Sequence, residues 1–283
     1  MTNPSVSVVI PFFRGVDQLR RAVTSVRRQT FDSIEIIVVS DDSPDELSGF
    51  ALEFPEVQII NLPKNAGPGV ARNAGMDCAK GHFIAFLDSD DWWYPNKLAI
   101  QIPLMLESGA AWGHHPYDIV TDSGKWLRRV SNDQIIGDVR DATMRSFRVQ
   151  TSCLVIRRDV LSGAGCRFSA ERIGEDLALF RALARLHPIH RTPHVLSAFV
   201  SHGSNAGFSP ALQLWSRWHV ADSLTGSEWN ELAVLDRIAY GWAWLVAVAL
   251  GVAGAEPPQT HHRRVLTGVA YLPAWLLFRR PLR

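Results

Sequence analysis

The segment 81–95, GHFIAFLDSDDWWYP, constrains this chain most, because an apolar run in it ends directly in three acids. The run 83–87 has the length of a strand buried on both faces. Asp88, Asp90 and Asp91 follow at its carboxyl end, where α/β sheets bind ligands. Carboxylates this close repel one another unless a hard cation such as Mg²⁺ or Mn²⁺ joins them to a phosphorylated ligand. The alternative is a solvated acidic turn in which Asp91 caps the next helix.

Alternating strands and helices in the first hundred residues predict an α/β fold with a mostly parallel, Rossmann-like central sheet and flanking helices. The expected strands are 5–10, 34–39, 57–61 and 83–87, and the expected helices are 17–29, 45–54 and 68–79. Right-handed crossovers place the carboxyl ends of parallel strands at one edge. Residues 11–14, 41–43 and 88–91 are therefore expected to converge.

The pattern is looser after Pro95. A helix is expected over 96–107, interrupted by Pro103, and a second helix with an acidic start over 174–186. The expected strands of this half are 110–117, 125–130, 151–156 and 195–200.

Composition excludes some functional classes. The chain has 283 residues and a net charge of +1, so no global field attracts nucleic acid. Its three cysteines, Cys78, Cys153 and Cys166, form neither a paired framework nor a metal-ligand spacing, which suits a reducing compartment. The N-terminus has no basic region followed by a cleavage site, so no signal peptide is expected and a cytoplasmic location is predicted.

The C-terminal part differs in character. We expect one domain over residues 1–210 and a helical extension over 211–283. The apolar block 238–255 is at the short limit for spanning a bilayer, and the block 265–278 is too short. The first block is either a soluble core helix or a segment lying on the cytoplasmic face of a membrane, since Trp242, Trp244 and flanking arginines suit that interface.

Five ordered motifs between residues 5 and 205 resemble the family 2 glycosyltransferases of GT-A fold. They read VSVVIPFFRG, SVRRQTFDSIEIIVVSDDSPDE, NAGPGVARNAG, AKGHFIAFLDSDDWWYPNKL and RFSAERIGEDLALFRALAR. Any one of them alone is a weak signal, but their order is specific. The resemblance implies a nucleotide-sugar donor, usually linked to uridine diphosphate, and an inverting transfer that needs Mn²⁺ or Mg²⁺.

The resemblance also implies roles for individual residues. Asp41 matches the acid that bonds the uracil ring. Asp88 and Asp90 match the D-x-D metal pair, with Asp90 as the direct ligand and Asp88 as a ribose or water-bridged contact. His202 matches a further metal or diphosphate ligand. The residues matched to nucleotide binding are Pro11, Phe12, Phe13, Asp41, Arg72, Asn73, Asp88 and Ser89.

Asp176 matches the catalytic base of the family's Glu-Asp segment, and Glu175 is its competitor. A carboxylate can take the proton of the attacking hydroxyl, and the first turn of a helix stabilises its ionised form. The alternative is that both acids only complement the helix dipole. Trp93 and His115 are predicted to contact the sugar or the acceptor, with packing as the alternative for Trp93 and an exposed loop for His115.

Glycines surround the candidate phosphate contact Arg72. Gly67, Gly69 and Gly75 would let the backbone approach a phosphate closely. The alternative is that Arg72 faces solvent.

Three departures from the family pattern stand out. Ser40 replaces the first Asp of the D-D-G-S motif, Asp42 replaces its Gly, and Arg14 stands where Asn is common. The Q-x-x-R-W signature of processive synthases is absent, so transfer of one sugar per encounter is expected.

The predicted function is transfer of a sugar to a hydroxyl of a glycan or polyprenyl-linked saccharide in polysaccharide biosynthesis. A nucleotidyltransferase would need a Gly-rich basic loop after the first strand, where this chain has PFFRG. A non-catalytic sugar-nucleotide-binding protein would not need the acids Asp41, Asp90 and Asp176.

Overall fold

The structure is a computed structural model that describes residues 5–145, 147, 149–163, 165–171, 174–202 and 234–249. They belong to two compact units. The first unit holds Met1–Val139 and Arg148–His202, and the second holds Arg140–Phe147 and Gly203–Arg283. The candidate site residues all belong to the first unit.

A seven-stranded mixed sheet forms the centre of the first unit, in the order β10-β6-β9-β4-β1-β2-β3. Its strands are β1 (Val6–Phe12), β2 (Ile34–Ser40), β3 (Gln58–Asn61), β4 (Phe83–Phe86), β6 (Trp112–His114), β9 (Val155–Arg157) and β10 (Ile189–Arg191). Strands β4, β1, β2 and β3 are parallel, as predicted, and β9 runs antiparallel to both β4 and β6. The sheet therefore gathers the carboxyl ends of four strands at one edge.

A four-stranded second sheet, in the order β5-β11-β7-β8, extends this edge. It consists of β5 (Trp92–Trp93), β7 (Tyr117–Val120), β8 (Trp126–Val130) and β11 (Ser197–Val200). Strand β5 follows the acids at the end of β4 and pairs with β11 through Ala198 and Ser197. This pairing brings the end of β11, and His202 after it, towards Asp90.

Helices flank the large sheet, and their apolar faces complete the core. They are α1 (Val16–Arg27), α2 (Ser48–Glu53), α3 (Pro68–Cys78), α4 (Lys97–Ser108), α6 (Arg158–Gly163) and α7 (Glu175–Leu186). Strand β1 is buried along its whole length. In α1 the buried side chains of Leu19, Val23 and Val26 recur at helical spacing and pack in the core with β1.

Three sequence-based expectations were wrong in detail. Helix α4 continues through Pro103, since buried Leu98 and Ile102 hold it in place despite the lost hydrogen bond. The segment 110–117 is not one strand, because His115–Pro116 separates β6 from β7 and Pro cannot donate to a ladder. The segment 151–156 starts as the 3₁₀ helix Thr151–Cys153 before β9 begins.

The second unit is described for α5 (Arg140–Arg145) and α8 (Val234–Ala249). Ile238, Trp242 and Leu245 in α8 are exposed and recur at i, i+4 and i+7, so they lie on one face. Among the described residues, no helix combines the length and the apolar character needed to cross a bilayer. The predicted boundary at residue 210 and the block 265–278 lie outside the described residues.

Candidate active site

The ends of β1, β2 and β4 meet at the carboxyl edge of the large sheet. Phe12 at the end of β1 is in register with Ser40 at the end of β2, and the Asp41 N–H donates to the Phe12 carbonyl at 2.8 Å. The Leu87 N–H, just beyond β4, donates to the Val9 carbonyl at 3.1 Å. The edge therefore places the loops that carry Phe13, Asp41 and Asp88 side by side.

Asp41 binds the loop that leads into α3. Its Oδ1 accepts the Ala66 N–H at 2.7 Å and its Oδ2 accepts the Gly67 N–H at 2.8 Å. Gly67 has a φ of 93°, a left-handed conformation that favours glycine. Because each carboxylate oxygen has two lone pairs, Asp41 retains acceptor capacity for a further N–H, such as the imide of a uracil ring.

Arg72 connects the acids of two distant segments. This buried side chain donates from Nη1 to Glu175 Oε1 at 2.7 Å and from Nη2 to Asp88 Oδ1 at 2.6 Å. Its guanidinium also lies 5.2 Å from the centroid of the Phe168 ring. The two carboxylates keep the pKa of Arg72 above its ordinary value despite the desolvation that opposes them. Arg72 does not face solvent and draws the Glu-Asp segment to the end of β4.

Two of the three glycines near Arg72 serve packing within the protein. A Cβ on Gly69 would lie 2.2 Å from the Ser169 carbonyl oxygen, and a Cβ on Gly75 would lie 2.4 Å from Val9 Cγ1. The space that lies where a Cβ would stand is filled by the 165–171 segment at Gly69 and by β1 at Gly75, so close packing is one reason for glycine at both positions, and the approach of a phosphate stays a prediction. Gly69 lets α3 pack closely against the segment that leads into α7.

Asn73 has a structural role at the same place. Its Nδ2 donates to the Phe168 carbonyl at 2.9 Å, and its Oδ1 accepts the Phe168 N–H at 3.1 Å. Both ends of the amide therefore hold the Phe168 backbone. Because the NH₂ group has a second donor and the oxygen a second lone pair, the nucleotide contact of Asn73 stays a prediction.

Asp88 and Asp90 have different partners. Asp88 Oδ2 accepts the Thr151 hydroxyl at 3.0 Å, while its Oδ1 is held by Arg72. Asp90 Oδ2 lies 2.7 Å from His202 Nε2, and both side chains are partly exposed. Burial and the charge of Asp88 raise the pKa of Asp90, whereas His202 opposes that rise. The structure thus brings together the Asp90 and His202 pair that the sequence analysis predicted.

Asp91 is fully buried behind this pair. Its Oδ1 accepts the Val200 N–H at 2.9 Å and its Oδ2 accepts the Ser152 hydroxyl at 2.6 Å. Burial, with the charges of its two acidic neighbours, raises its pKa well above the ordinary value. The alternative of a solvated turn with Asp91 as helix cap is wrong, because Asp91 is buried and Asn96 occupies the N-cap position of α4.

Asp176 and Glu175 occupy the first turn of α7, as predicted. Glu175 is engaged by Arg72. The pKa of Asp176 is raised to about 7, chiefly by burial and then by the charge of Glu175, with Arg72 acting in the opposite direction. A carboxyl group that titrates near neutrality is suited to accept a proton from a substrate hydroxyl.

The residues matched to the base pocket differ in exposure. Pro11 and Phe12 are buried in β1, and the Phe12 ring packs in the hydrophobic core, so it offers no face to a base. Phe13 is exposed, with the Arg14 guanidinium 5.1 Å from its ring centroid. Ser89 is partly buried between the two acids. Phe13 is the aromatic ring that this edge presents to solvent.

Trp93 and His115 lie in the interior, away from any surface that could receive a sugar. Trp93 donates from Nε1 to the Ser152 carbonyl at 2.8 Å, and the buried Lys97 ammonium lies 4.0 Å from its ring centroid. His115 is fully buried with Nδ1 2.8 Å from the Pro116 carbonyl, so the exposed-loop alternative is also wrong. Burial lowers the pKa of His115 well below its ordinary value.

Sequence reasoning missed the contributions of Thr151, Ser152 and Phe168. They bond or stack on Asp88, Asp91 and Arg72 from the predicted strand 151–156 and from the motif that begins RFSAERIGED. That motif includes Phe168, but no local pattern indicates these contacts, since only folding brings the residues together.

The fit of a divalent cation depends on Asp90 and His202. Among the described residues, no group of three or more His, Cys, Asp or Glu side chains is arranged to hold a metal ion. Mg²⁺ and Mn²⁺ commonly take one or two protein ligands and complete their shell with phosphate oxygens and water. The neighbouring Asp90 and His202 are compatible with such a site, whereas Asp88 is already held by Arg72.

Sequence comparison places this geometry among known proteins. Residues 7–165, more than half of the chain, match Glycosyl transferase family 2. The chain is 36% identical over 125 residues to WfgD of Escherichia coli, a UDP-Glc:α-D-GlcNAc-diphosphoundecaprenol β-1,3-glucosyltransferase. It is 32% identical over 191 residues to the succinoglycan biosynthesis protein ExoO of Rhizobium meliloti.

Coverage of these relatives is partial. The first alignment includes 44% of this chain and 49% of WfgD, and the second includes 62% of this chain and 54% of ExoO. An uncharacterised glycosyltransferase of Rickettsia bellii is matched over 20% of its length.

Structural comparison supports the GT-A fold. The chain resembles Staphylococcus aureus TarS 1-349 in complex with UDP-GlcNAc with a TM-score of 0.64 at 15% identity, covering 97% of this chain and 91% of that one. The TarS 1-349 complex with UDP gives a TM-score of 0.61 at 16% identity, covering 99% and 93% of the two chains. The prediction of an α/β fold of GT-A type is confirmed, and the chain belongs to glycosyltransferase family 2.

Proposed function

We propose that this chain is an inverting, metal-dependent glycosyltransferase that moves a single sugar from a UDP-linked donor to a hydroxyl of a glycan or lipid-linked saccharide. The observation that carries the proposal is the Asp88–Arg72–Glu175 ion-pair chain. It joins the acids at the end of β4 to the helix turn that bears Asp176. The groups proposed to bind the metal and the group proposed to accept the proton are thereby held at one edge of the sheet.

The proposal assigns a task to each side of this edge. Asp41 receives the imide N–H of the base, and Phe13 offers its exposed ring to it. Asp90 and His202 would hold Mn²⁺ or Mg²⁺, which neutralises the charge that develops on the departing diphosphate. Asp176 accepts the proton of the attacking hydroxyl, and its pKa of about 7 suits that transfer.

The comparisons support the substrate class. WfgD is described as using UDP-glucose and a diphosphoundecaprenol-linked acceptor, and TarS 1-349 has been crystallised with UDP-GlcNAc. By analogy we propose a UDP-sugar donor and an acceptor in polysaccharide biosynthesis for this chain. We propose a catalytic rather than a purely binding role because Asp176 is retained beside the Arg72 ion pairs.

The test is the Asp176→Asn variant with Asp17→Asn as its matched control. Both acids lie in the first turn of a helix, but Asp17 is exposed on α1. Asp176→Asn should reduce turnover about 10²- to 10⁴-fold, because it removes a general base, while UDP affinity measured by calorimetry stays unchanged. Asp17→Asn should retain wild-type turnover. Full turnover by Asp176→Asn would remove the base assignment.

We also propose that α8 makes peripheral contact with a membrane that carries the acceptor. Its exposed stripe of Ile238, Trp242 and Leu245 resembles the apolar face of an interfacial helix. The double variant Ile238→Ser/Leu245→Ser should bind anionic lipid vesicles less than the wild type in a sedimentation assay. Leu52→Ser, an exposed leucine on α2, is the control. Equal binding by all three proteins would refute the contact.

A further inference from the structure

A buried bridge formed by Ser152 and Asp91 lies directly behind the candidate metal ligands. Ser152 Oγ accepts the Asp88 N–H at 3.1 Å and donates to Asp91 Oδ2 at 2.6 Å. Asp91 Oδ1 accepts the Val200 N–H at 2.9 Å. The bridge therefore joins the end of β4, the 3₁₀ helix and the end of β11 through three hydrogen bonds.

The two ends of this bridge adjoin the two residues that would hold the cation. Asp90 directly precedes Asp91, and His202 follows Val200 by two positions. Strand β11 pairs with β7 as far as Val200, and the Ser201 N–H donates to the Val120 carbonyl at 2.8 Å, so the bond from Asp91 to Val200 is a second tether on the chain just before His202. The backbone that carries each ligand is thus anchored on the same carboxylate.

A bridge of the same chemistry occurs at the opposite end of the large sheet. Buried Ser7 accepts the Gly81 N–H at 2.8 Å and donates its hydroxyl to the Glu35 carboxylate. Neither Ser7 nor Glu35 is near a predicted ligand-binding residue. The second bridge is therefore a matched control for the effect of a serine–carboxylate pair on stability alone.

We propose that Ser152 and Asp91 are positioning residues that set the spacing between Asp90 and His202 for a divalent cation. The inference rests on the proposed function, because it requires that these two side chains hold a cation together with the donor diphosphate. Neither Ser152 nor Asp91 would touch the ligand. Outer residues that orient metal ligands typically change metal affinity 10- to 100-fold when they are replaced.

The experiment compares Ser152→Ala with Ser7→Ala in the full chain. UDP binding is measured by calorimetry over a series of Mn²⁺ concentrations and in the presence of chelator, and melting temperatures are recorded for both variants. Ser152→Ala should raise the Mn²⁺ concentration for half-maximal UDP binding by about tenfold or more, with UDP affinity at saturating Mn²⁺ preserved. Ser7→Ala should lower the melting temperature similarly and leave the Mn²⁺ requirement unchanged.

Asp91→Asn provides a second variant if Ser152→Ala does not fold. Its amide keeps an oxygen for the Val200 N–H but replaces the other acceptor of the bridge, so the Mn²⁺ requirement should rise again. Equal Mn²⁺ requirements in the wild type and the folded bridge variants would overturn the positioning role while leaving the metal site intact. A wild-type protein whose UDP binding ignores Mn²⁺ and chelator would overturn the metal assignment itself, and the positioning role with it.

Discussion

Each end of the large sheet holds a serine–carboxylate pair with the same hydrogen-bond chemistry. The two carboxylates differ in the charged groups that surround them. At the amino end, the partly buried Glu35 carboxylate collects the Ser7 hydroxyl and the N–H groups of Lys80 and Gly81. At the carboxyl end, Asp91 lies next to the carboxylates of Asp88 and Asp90, and its pKa is raised well above the ordinary value.

We interpret the pair at the amino end as structural and the pair at the carboxyl end as part of the proposed site. One carboxylate with several N–H and O–H donors is compensated within the protein and stabilises it. Adjacent acids lower stability unless a ligand or cation compensates them, and such arrangements cluster at functional sites. The carboxyl edge therefore gathers several acids close together, whereas the pair at the amino edge holds one carboxylate among hydrogen-bond donors.

The largest expected effect is at Arg72, which compensates two acids of the carboxyl edge. Arg72→Met should lower the free energy of unfolding by about 3–5 kcal/mol, because it leaves Asp88 and Glu175 in a partly buried site without their cation. Arg20→Met, which removes exposed pairs with Asp17 and Glu53, should lower the free energy of unfolding far less, because exposed ion pairs contribute little. Urea unfolding of both variants measures this contrast, and equal losses would contradict it.

A smaller effect is expected where α3 meets the segment leading to α7. Gly69→Ala should lower the free energy of unfolding by about 1–3 kcal/mol, because its Cβ would collide with the Ser169 backbone. Gly49→Ala in α2 meets no atom within 4 Å and should instead stabilise the protein by about 0.5–1 kcal/mol. Opposite signs in denaturant titrations support the close approach, and two stabilised variants would rule it out.

At the amino end of the sheet, a substitution is expected to change stability without changing turnover. Glu35→Gln should lower the free energy of unfolding by about 1 kcal/mol, because the charge-assisted bonds to the Ser7 hydroxyl and the Gly81 N–H become neutral. Turnover should not change, since this end of the sheet carries no substrate group. Steady-state kinetics beside urea unfolding gives both values, and a large loss of turnover would break the proposed division between the two ends.

A further expected effect is a pH dependence of stability at Asp176. Its folded-state pKa of about 7 exceeds the ordinary value of 3.8, so between these values the folded protein retains a proton that the unfolded chain releases. Stability should therefore fall as pH rises through this window and level off above about 7. Asp176→Asn removes this contribution. The melting temperature of the wild type should therefore fall relative to that of Asp176→Asn from pH 5 to pH 7. A constant difference would argue against the raised pKa.

Several features of the fold followed from residue patterns alone. The strands β1, β2 and β4 are mainly apolar runs, and β2 and β4 lead into acids at the predicted edge. Periodic apolar positions predicted α1 and α7 to within a few residues. Short strands such as β10 and the 3₁₀ helix at Thr151 were missed, because elements of three residues have too few positions to show a period.

The sequence by itself determined which residues could carry chemistry: a parallel sheet, acids at one edge, and a Glu-Asp pair at a helix start are all local patterns. Only the tertiary structure decided their partners. Trp93 and His115 lie in the interior, and Asn73 bonds to the Phe168 backbone. Arg72 joins Asp88 to Glu175. The physical reason is that burial and hydrogen bonding depend on groups far away in the chain, which no window of neighbouring residues contains.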